Sequence, residues 1–361
     1  MGGQIRIAIA GVGNCASALL QGIQYYREHD TTVGLLYPEI GGYHATDVVP
    51  VAAFDVDARK VGKDLAVAIN EPPNNTMRFQ DVPAFGVPVQ MGPRADGVPS
   101  HLERFVTVGK EAAVDVAAVL RETKADLLLN LLPTGSAQAT RAYAHAALAA
   151  AKIGFINGIP ELIASDSTYA ELAEKNGVVL VGDDFKSQIG TTILHRSLIQ
   201  ACVERGVRID RMYQYNYAGN TDFANLEERG ESKEVTKHSA LQSLLPYEVA
   251  WGLAPMFIEG QEDIKTGKIN ISGRYWGGNE VRIQLDLQVN DSADAAGVMI
   301  DMIRFAKVAT ERGLSGVIKP LCAYYAKHPP VQMPDDEAKR ALDQMARSEE
   351  PSAPKTHGAG A

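Results

Sequence analysis

The chain opens on the apolar run 5–10, interrupted only by Arg6, and then turns through Gly11-Val12-Gly13-Asn14-Cys15-Ala16. Ala16, Leu19, Leu20 and Ile23 follow at i, i+3, i+4 and i+7, a spacing that lines one face of a helix. A second apolar run, 48–54, ends in Asp55-Val56-Asp57 after a variable stretch at 30–47. Residues 114–120 have helical spacing, 126–132 read as a strand, and an alanine-rich helix is predicted over 137–151. Strands at 155–157 and 178–181 flank a helix over 166–175. Apolar strands alternating with helices predict an α/β fold with a Rossmann-type, doubly wound parallel sheet.

The pattern changes after about residue 185. Val281, Ile283, Leu285, Leu287 and Val289 alternate with Arg282, Gln284, Asp286 and Gln288. A period of two predicts a strand with one buried face, as in an antiparallel sheet. Asp291-Ser292 is the expected cap of a following helix, with Asp294 in its first turn. This half is therefore expected to differ in character from the first. The tail 348–361 is small, polar and rich in Pro and Gly, and is expected to be disordered.

Composition narrows the function. The 361 residues suggest two domains, and 45% hydrophobic with 22% charged residues is globular. A net charge of −9, from 44 acidic and 35 basic side chains, argues against a nucleic-acid partner. Cys15, Cys202 and Cys322 are odd in number and far apart, so no disulfide framework or zinc site is expected. No apolar run is long enough for a bilayer, and no leader is recognisable. The expected setting is the cytoplasm, with no membrane partner and no dedicated metal ligands.

Gly11-x-Gly13-x-x-Ala16, between a predicted strand and a predicted helix, fits the dinucleotide fingerprint. Gly11 permits the turn, Gly13 admits a pyrophosphate and Ala16 lets the helix approach the sheet, while amides from Asn14 and Cys15 face the anion. Asp55 or Asp57 would accept hydrogen bonds from the adenosine ribose and repel a 2′-phosphate, favouring NAD. Their spacing of about forty residues requires an insertion, and a structural glycine turn remains the alternative. Asp183, Asp184, Lys186 and Ser187 close the last strand of this half, where doubly wound sheets bind ligands; a solvated turn is equally compatible. Gly190-Thr191-Thr192 opens a helix and could cradle a phosphate. Lys233 and Lys237, four apart, could serve as general acid/base or steady an enolate, or could simply be solvated, and Lys327 is similar.

Together these segments resemble the myo-inositol-1-phosphate synthase family in its shorter actinobacterial form. The resemblance runs through Gly11–Ser17, Val51–Asp57, Asn74-Asn75-Thr76, Leu132–Ser136, Asn157-x-x-Pro160-x-x-Ile163 and Gly182–Ser187. It continues through Asn216, Gly219-Asn220-x-Asp222, Ser232-Lys233, Lys237, Asp291-Ser292 and Tyr324–Lys327. It implies a split dinucleotide-binding domain over 1–188, an inserted α+β, mostly antiparallel catalytic and tetramerisation domain over 189–310, and a segment over 311–347 returning to the first domain. It also implies tightly held, recycled NAD and a homotetramer. In such enzymes a hexose 6-phosphate is oxidised at C5, C6 becomes nucleophilic, the ring closes by an aldol step, and the hydride returns. Lys233, Lys237 and Lys327 are the implied proton shuttle and oxyanion groups, beside Asp291, Lys186 and Asp184. Thr134, Gly135, Asp183 and Asp184 would lie along the coenzyme, with Ser187, Gly190, Thr191, Thr192, Asn216, Asn220 and Asp222 on the substrate.

The chain departs from the family pattern at Ser272-Gly-Arg274-Tyr-Trp276-Gly-Gly, at Asp286 where relatives carry a lysine, and through 241–268. Loss of a site cation would change which carbonyl is stabilised, so two sugars fit. Glucose 6-phosphate would give myo-inositol 1-phosphate, and fructose 6-phosphate a five-membered cyclitol phosphate. An NAD dehydrogenase and a non-catalytic NAD sensor are the readings of another class, and a supporting cation is not assignable. Lys237→Ala is expected to abolish turnover while leaving NAD bound; near-normal rates would remove that lysine from the mechanism.

Overall fold

The computed structural model describes residues 3–229, 241–242 and 244–347. The first six strands are β1 (Ile5–Ala10), β2 (Val48–Asp55), β3 (Val89–Met91), β4 (Leu127–Asn130), β5 (Gly154–Asn157) and β6 (Val179–Val181). Then follow β7 (Arg208–Ala218), β8 (Ala250–Phe257), β9 (Ile264–Arg274), β10 (Glu280–Asn290) and β11 (Gly316–Val317). One sheet has the order β3-β2-β1-β4-β5-β6-β11 with every pairing parallel. The order reverses between β1 and β4, the switch point at which such sheets open a ligand crevice beyond their strand ends.

Both faces of this sheet are covered, which explains the near-continuous apolar strands. Ile5, Ile7 and Ile9 pack with Leu19, Leu20 and Ile23 of the helix Asn14–Glu28 and with Met299 and Ile303 of the helix Asp291–Glu311. Ala8 and Ala10 point the other way, into a cluster with Phe54, Leu128 and Tyr143. The small side chains there leave room for the opposing helices, and the period of two does the sorting.

The second sheet has the order β10-β9-β7-β8, antiparallel except where β7 meets β8. Ile209, Met212, Ile269 and Ile271 bury its inner face against Ile199 and Cys202 of the helix Thr191–Glu204. The alternation at 281–289 is real, but β10 is an edge strand and its apolar residues are only half-buried.

Two expectations change. The helix Asp291–Glu311 is capped by Asn290, whose side chain accepts from the Ala293 amide at 3.0 Å, so Asp291 is left for other partners. That helix also packs into the first sheet's core, and the division expected at 310 moves to its start near 290. The chain then re-enters the first sheet through β11.

One buried ion pair holds this returning helix in register. Arg304, 0% exposed, donates to Asp301 at 2.6 Å and to the Tyr37 carbonyl at 2.9 Å, and the Tyr325 hydroxyl donates to Asp301 at 2.9 Å. Removing one partner of such a pair strands the other charge in a dry core. Arg304→Ala is therefore expected to cost about 3–5 kcal/mol, seen as a lowered denaturation midpoint; an unchanged midpoint would show that the helix is held by apolar packing alone.

Candidate active site

The glycine loop leaves β1 where Gly11 adopts φ +92°, and a Cβ there would sit 2.6 Å from the Leu131 carbonyl oxygen. Only glycine meets both demands. At Gly13 a Cβ would meet nothing within 4 Å, so that position opens into free space. Gly13 is also the N-cap of the helix Asn14–Glu28, and no side chain caps it. An uncapped helix start with an open approach suits an anion.

The two carboxylates at the end of β2 and just past it are committed to protein groups. Asp55 accepts from the amides of Val12 at 2.8 Å, Val56 at 2.7 Å and Asp57 at 2.9 Å. Asp57 is 1% exposed and grips the Arg59 guanidinium through contacts of 2.9 and 2.5 Å. Both still line the cleft, Asp55 chiefly as the fastening of the glycine loop.

That cleft, of about 380 Å³, runs from the glycine loop across the switch point to the second sheet. Its walls include Gly11, Gly13, Asn14, Cys15, Asp55 and Asp57 on the first side, and Thr134 at the end of β4. The far wall brings Asp184, Ser187, Gly190, Thr191 and Thr192 together with Asn220, Asp222, Asp291 and Lys327. Lys327 donates to Asp184 at 2.7 Å, and Lys265 donates to Asp291 at 2.8 Å. Asp184 has φ +62°, held by backbone bonds from Lys327 to its carbonyl and from its own amide to Ile159. A strained non-glycine residue so over-determined is common at functional sites.

Several expected residues are elsewhere. Asp183 is 0% exposed and accepts from Asn157 and from the amides of Ile163, Ala164 and Ser165, which makes it a loop latch behind the wall. Gly135 supplies a positive-φ turn and does not line the cleft. Asn216 lies beneath it, its oxygen accepting from Thr191 at 3.1 Å and Gln214 at 3.0 Å. Lys186 points away, donating to the Ala323 carbonyl at 2.6 Å and to Asp335 at 3.3 Å, because the buried Arg196 and the half-buried Asp335 form a charged cluster there. Asn14 reaches the cleft, but its side chain serves as a strut to Asn75, Thr76 and Asp263. Lys233 and Lys237 lie outside the described residues.

The structure adds three residues that sequence patterns did not single out. Lys265, at the start of β9, is the cation that pairs with Asp291 in the cleft. Asp286, by contrast, is exposed on β10 and pairs with Lys268, and the departure at 272–278 is a hairpin tip with Trp276 88% exposed. Asp263, 1% exposed, accepts from Asn220 and Ser292, and burial followed by the Asp291 charge raises its pKa. Lys60, 3% exposed, lies beneath the glycine loop. Burial, reinforced by Asp263, Asp291 and Asp222, pushes the Cys15 thiol up to about 12, so it stays protonated and unreactive at neutral pH. Among the described residues no group of three or more His, Cys, Asp or Glu could hold a metal ion.

The arrangement can bind a nucleotide diphosphate at one end and hold two ammonium groups near a polar ligand at the other. Lys186 makes a separate, pH-dependent contribution. Burial lowers its pKa to about 8, with Asp335 opposing and Arg196 reinforcing. Between about pH 8 and its ordinary value of 10.5, the unfolded chain binds a proton that the folded chain does not. This group therefore adds stability as pH rises through that window, and its burial cost is fully present below it. Relative to Lys186→Met, the protein should gain stability from pH 8 to 10 in denaturation midpoints; parallel curves would contradict this.

A family model described as myo-inositol-1-phosphate synthase matches residues 190–292. The inositol-3-phosphate synthase of Mycolicibacterium smegmatis is 43% identical over 94% of this chain and 97% of its own length. That of Corynebacterium glutamicum is 42% identical over 94% and 97%. The crystal structure of Ari2 superimposes with a TM-score of 0.77 at 36% identity, covering 95% of this chain and 98% of that one. The chain belongs to the myo-inositol-1-phosphate synthase family and is an isomerase-type cyclase.

Proposed function

We propose that this enzyme performs an NAD-dependent, redox-neutral intramolecular aldol cyclisation, converting glucose 6-phosphate to myo-inositol 1-phosphate. One observation carries the reading: a single cleft joins an open, uncapped glycine loop to the Lys265–Asp291 and Lys327–Asp184 pairs. The residues fit the coenzyme, since Gly13 leaves open the space a pyrophosphate would need and the helix behind it presents amides. Bound NAD would supply a hydride acceptor that returns what it takes.

The chain's own residues account for the rest. Thr191, Thr192 and the helix start at Gly190 suit the substrate phosphate, since no side chain caps that helix either. Once C5 is a ketone, the C6 protons are acidic, and an ammonium facing the developing enolate lowers the barrier. Lys327 and Lys265 can each offer a proton or a positive charge, and Asp184 and Asp291 fix where the two ammonium groups point. One lysine of the set, as the neutral amine, takes a proton from C6 and returns it to the alkoxide left by ring closure, so the step balances.

A homotetramer in the cytoplasm, without membrane or nucleic-acid partners, completes the reading. Tyr215 and Met256, each 44% exposed on the open face of the second sheet, support the association; separately, among the described residues no helix is long and apolar enough to cross a membrane.

Incubation with glucose 6-phosphate and, separately, fructose 6-phosphate, followed by NMR of the product, tests the proposal. A six-membered carbocycle from glucose 6-phosphate, without lasting absorbance at 340 nm, is expected. A five-membered ring from fructose 6-phosphate alone would replace the sugar but keep the chemistry, and accumulating NADH would overturn both. Lys265→Ala should lower turnover by about 10²-fold or more, measured as initial product formation at saturating substrate.

A further inference from the structure

Val12 sits between the two fingerprint glycines, and both sides of it are held. Its amide donates to Asp55 Oδ2 at 2.8 Å, and its carbonyl accepts from Lys60 Nζ at 2.8 Å. Lys60 also donates to Asn74 Oδ1 at 2.9 Å and lies 3.9 Å from Asp55. Asn74 closes the ring by donating to the same Val12 carbonyl at 3.1 Å. A lysine 3% exposed is unusual unless paired, and burial lowers its pKa against the pull of Asp55 and Asp57.

We propose that Lys60 is a coenzyme-positioning residue: with Asp55 it clamps Val12 and so aims the amides after Gly13 at the pyrophosphate. This rests on NAD being the coenzyme. Two effects combine in it. The first is geometric, because Val12 cannot rotate while both its amide and its carbonyl are tied to the segment after β2. The second is electrostatic. Asp55 stands at the mouth of a site that must accept an anion, and its charge there is unfavourable unless a cation offsets it. Lys60 supplies that charge from the buried side. A glycine-rich loop is conformationally permissive, so its binding geometry has to come from such external ties.

The clamp acts on the pyrophosphate and leaves the adenine end alone, which separates it from a general stabilising role. Binding of NAD, ADP and adenosine to the wild type, Lys60→Met and Lys60→Gln would be measured by calorimetry, or by NMR where binding is weak. The thermal midpoint without nucleotide would be recorded for each. Lys60→Met should lose about tenfold or more in affinity for both NAD and ADP, with adenosine binding unchanged. Lys60→Gln, which can still donate to Val12 but carries no charge, should fall between the two. Equal losses for ADP and adenosine, or a fallen thermal midpoint with unchanged ADP affinity, would make Lys60 merely structural and overturn the proposal. A wild type that binds neither NAD nor ADP would instead overturn the coenzyme reading on which it rests.

Discussion

Everything in the cleft depends on holding two sheets in a fixed relation, and a single buried carboxylate does much of that work. Asp263 accepts from Asn220 at 2.8 Å, from the Ser292 hydroxyl at 3.1 Å and from Asn14 at 3.3 Å. One acceptor thereby joins the glycine loop of the first sheet, the turn after β7, and the first turn of the helix that leads back to the first sheet. A buried carboxylate is costly unless every lone pair is used, and here the donors that satisfy it are the elements that must meet. Asp291 and Lys265 then share the cleft with the glycine loop because the residues beside them are tied to that hub.

The cleft shows a consistent use of paired charges. Each cleft lysine described here has a carboxylate in contact or close by: Lys327 with Asp184, Lys265 with Asp291, Lys60 with Asp55. Pairing offsets part of the cost of burying each ammonium group, and it fixes where the group points. Sugar-phosphate chemistry benefits from both, because the developing anion meets a charge already in place and no solvent has to reorganise.

The glycine loop, the first helix and the doubly wound sheet were legible in the sequence because local rules set them. Gly11 is required by its own φ, and Ile5, Ile7 and Ile9 alternate with Ala8 and Ala10 as a two-faced strand demands. Asp55 was placed correctly, at the end of β2, but its partners are backbone amides, and no pattern along the chain reveals what a carboxylate accepts from. Lys186 follows the same rule in reverse. It sits two residues after Asp184, yet the positive φ at Asp184 and the Asp335–Arg196 cluster turn it away from the cleft. Lys265 was hidden because its position depends on β9 pairing with β7 and β10, and Asp291 meets it because Asn290 takes the cap.

The central claim is that the hydride removed from the sugar goes back to the same molecule within one closed cleft. Supplying hexose 6-phosphate deuterated at C5 tests this directly, with the isotope followed by NMR and mass spectrometry through many turnovers. The account predicts a carbocyclic phosphate that keeps its deuterium on the carbon that carried it, even in the presence of excess unlabelled NADH. Deuterium appearing in free coenzyme or in water, with the product unlabelled, would contradict it.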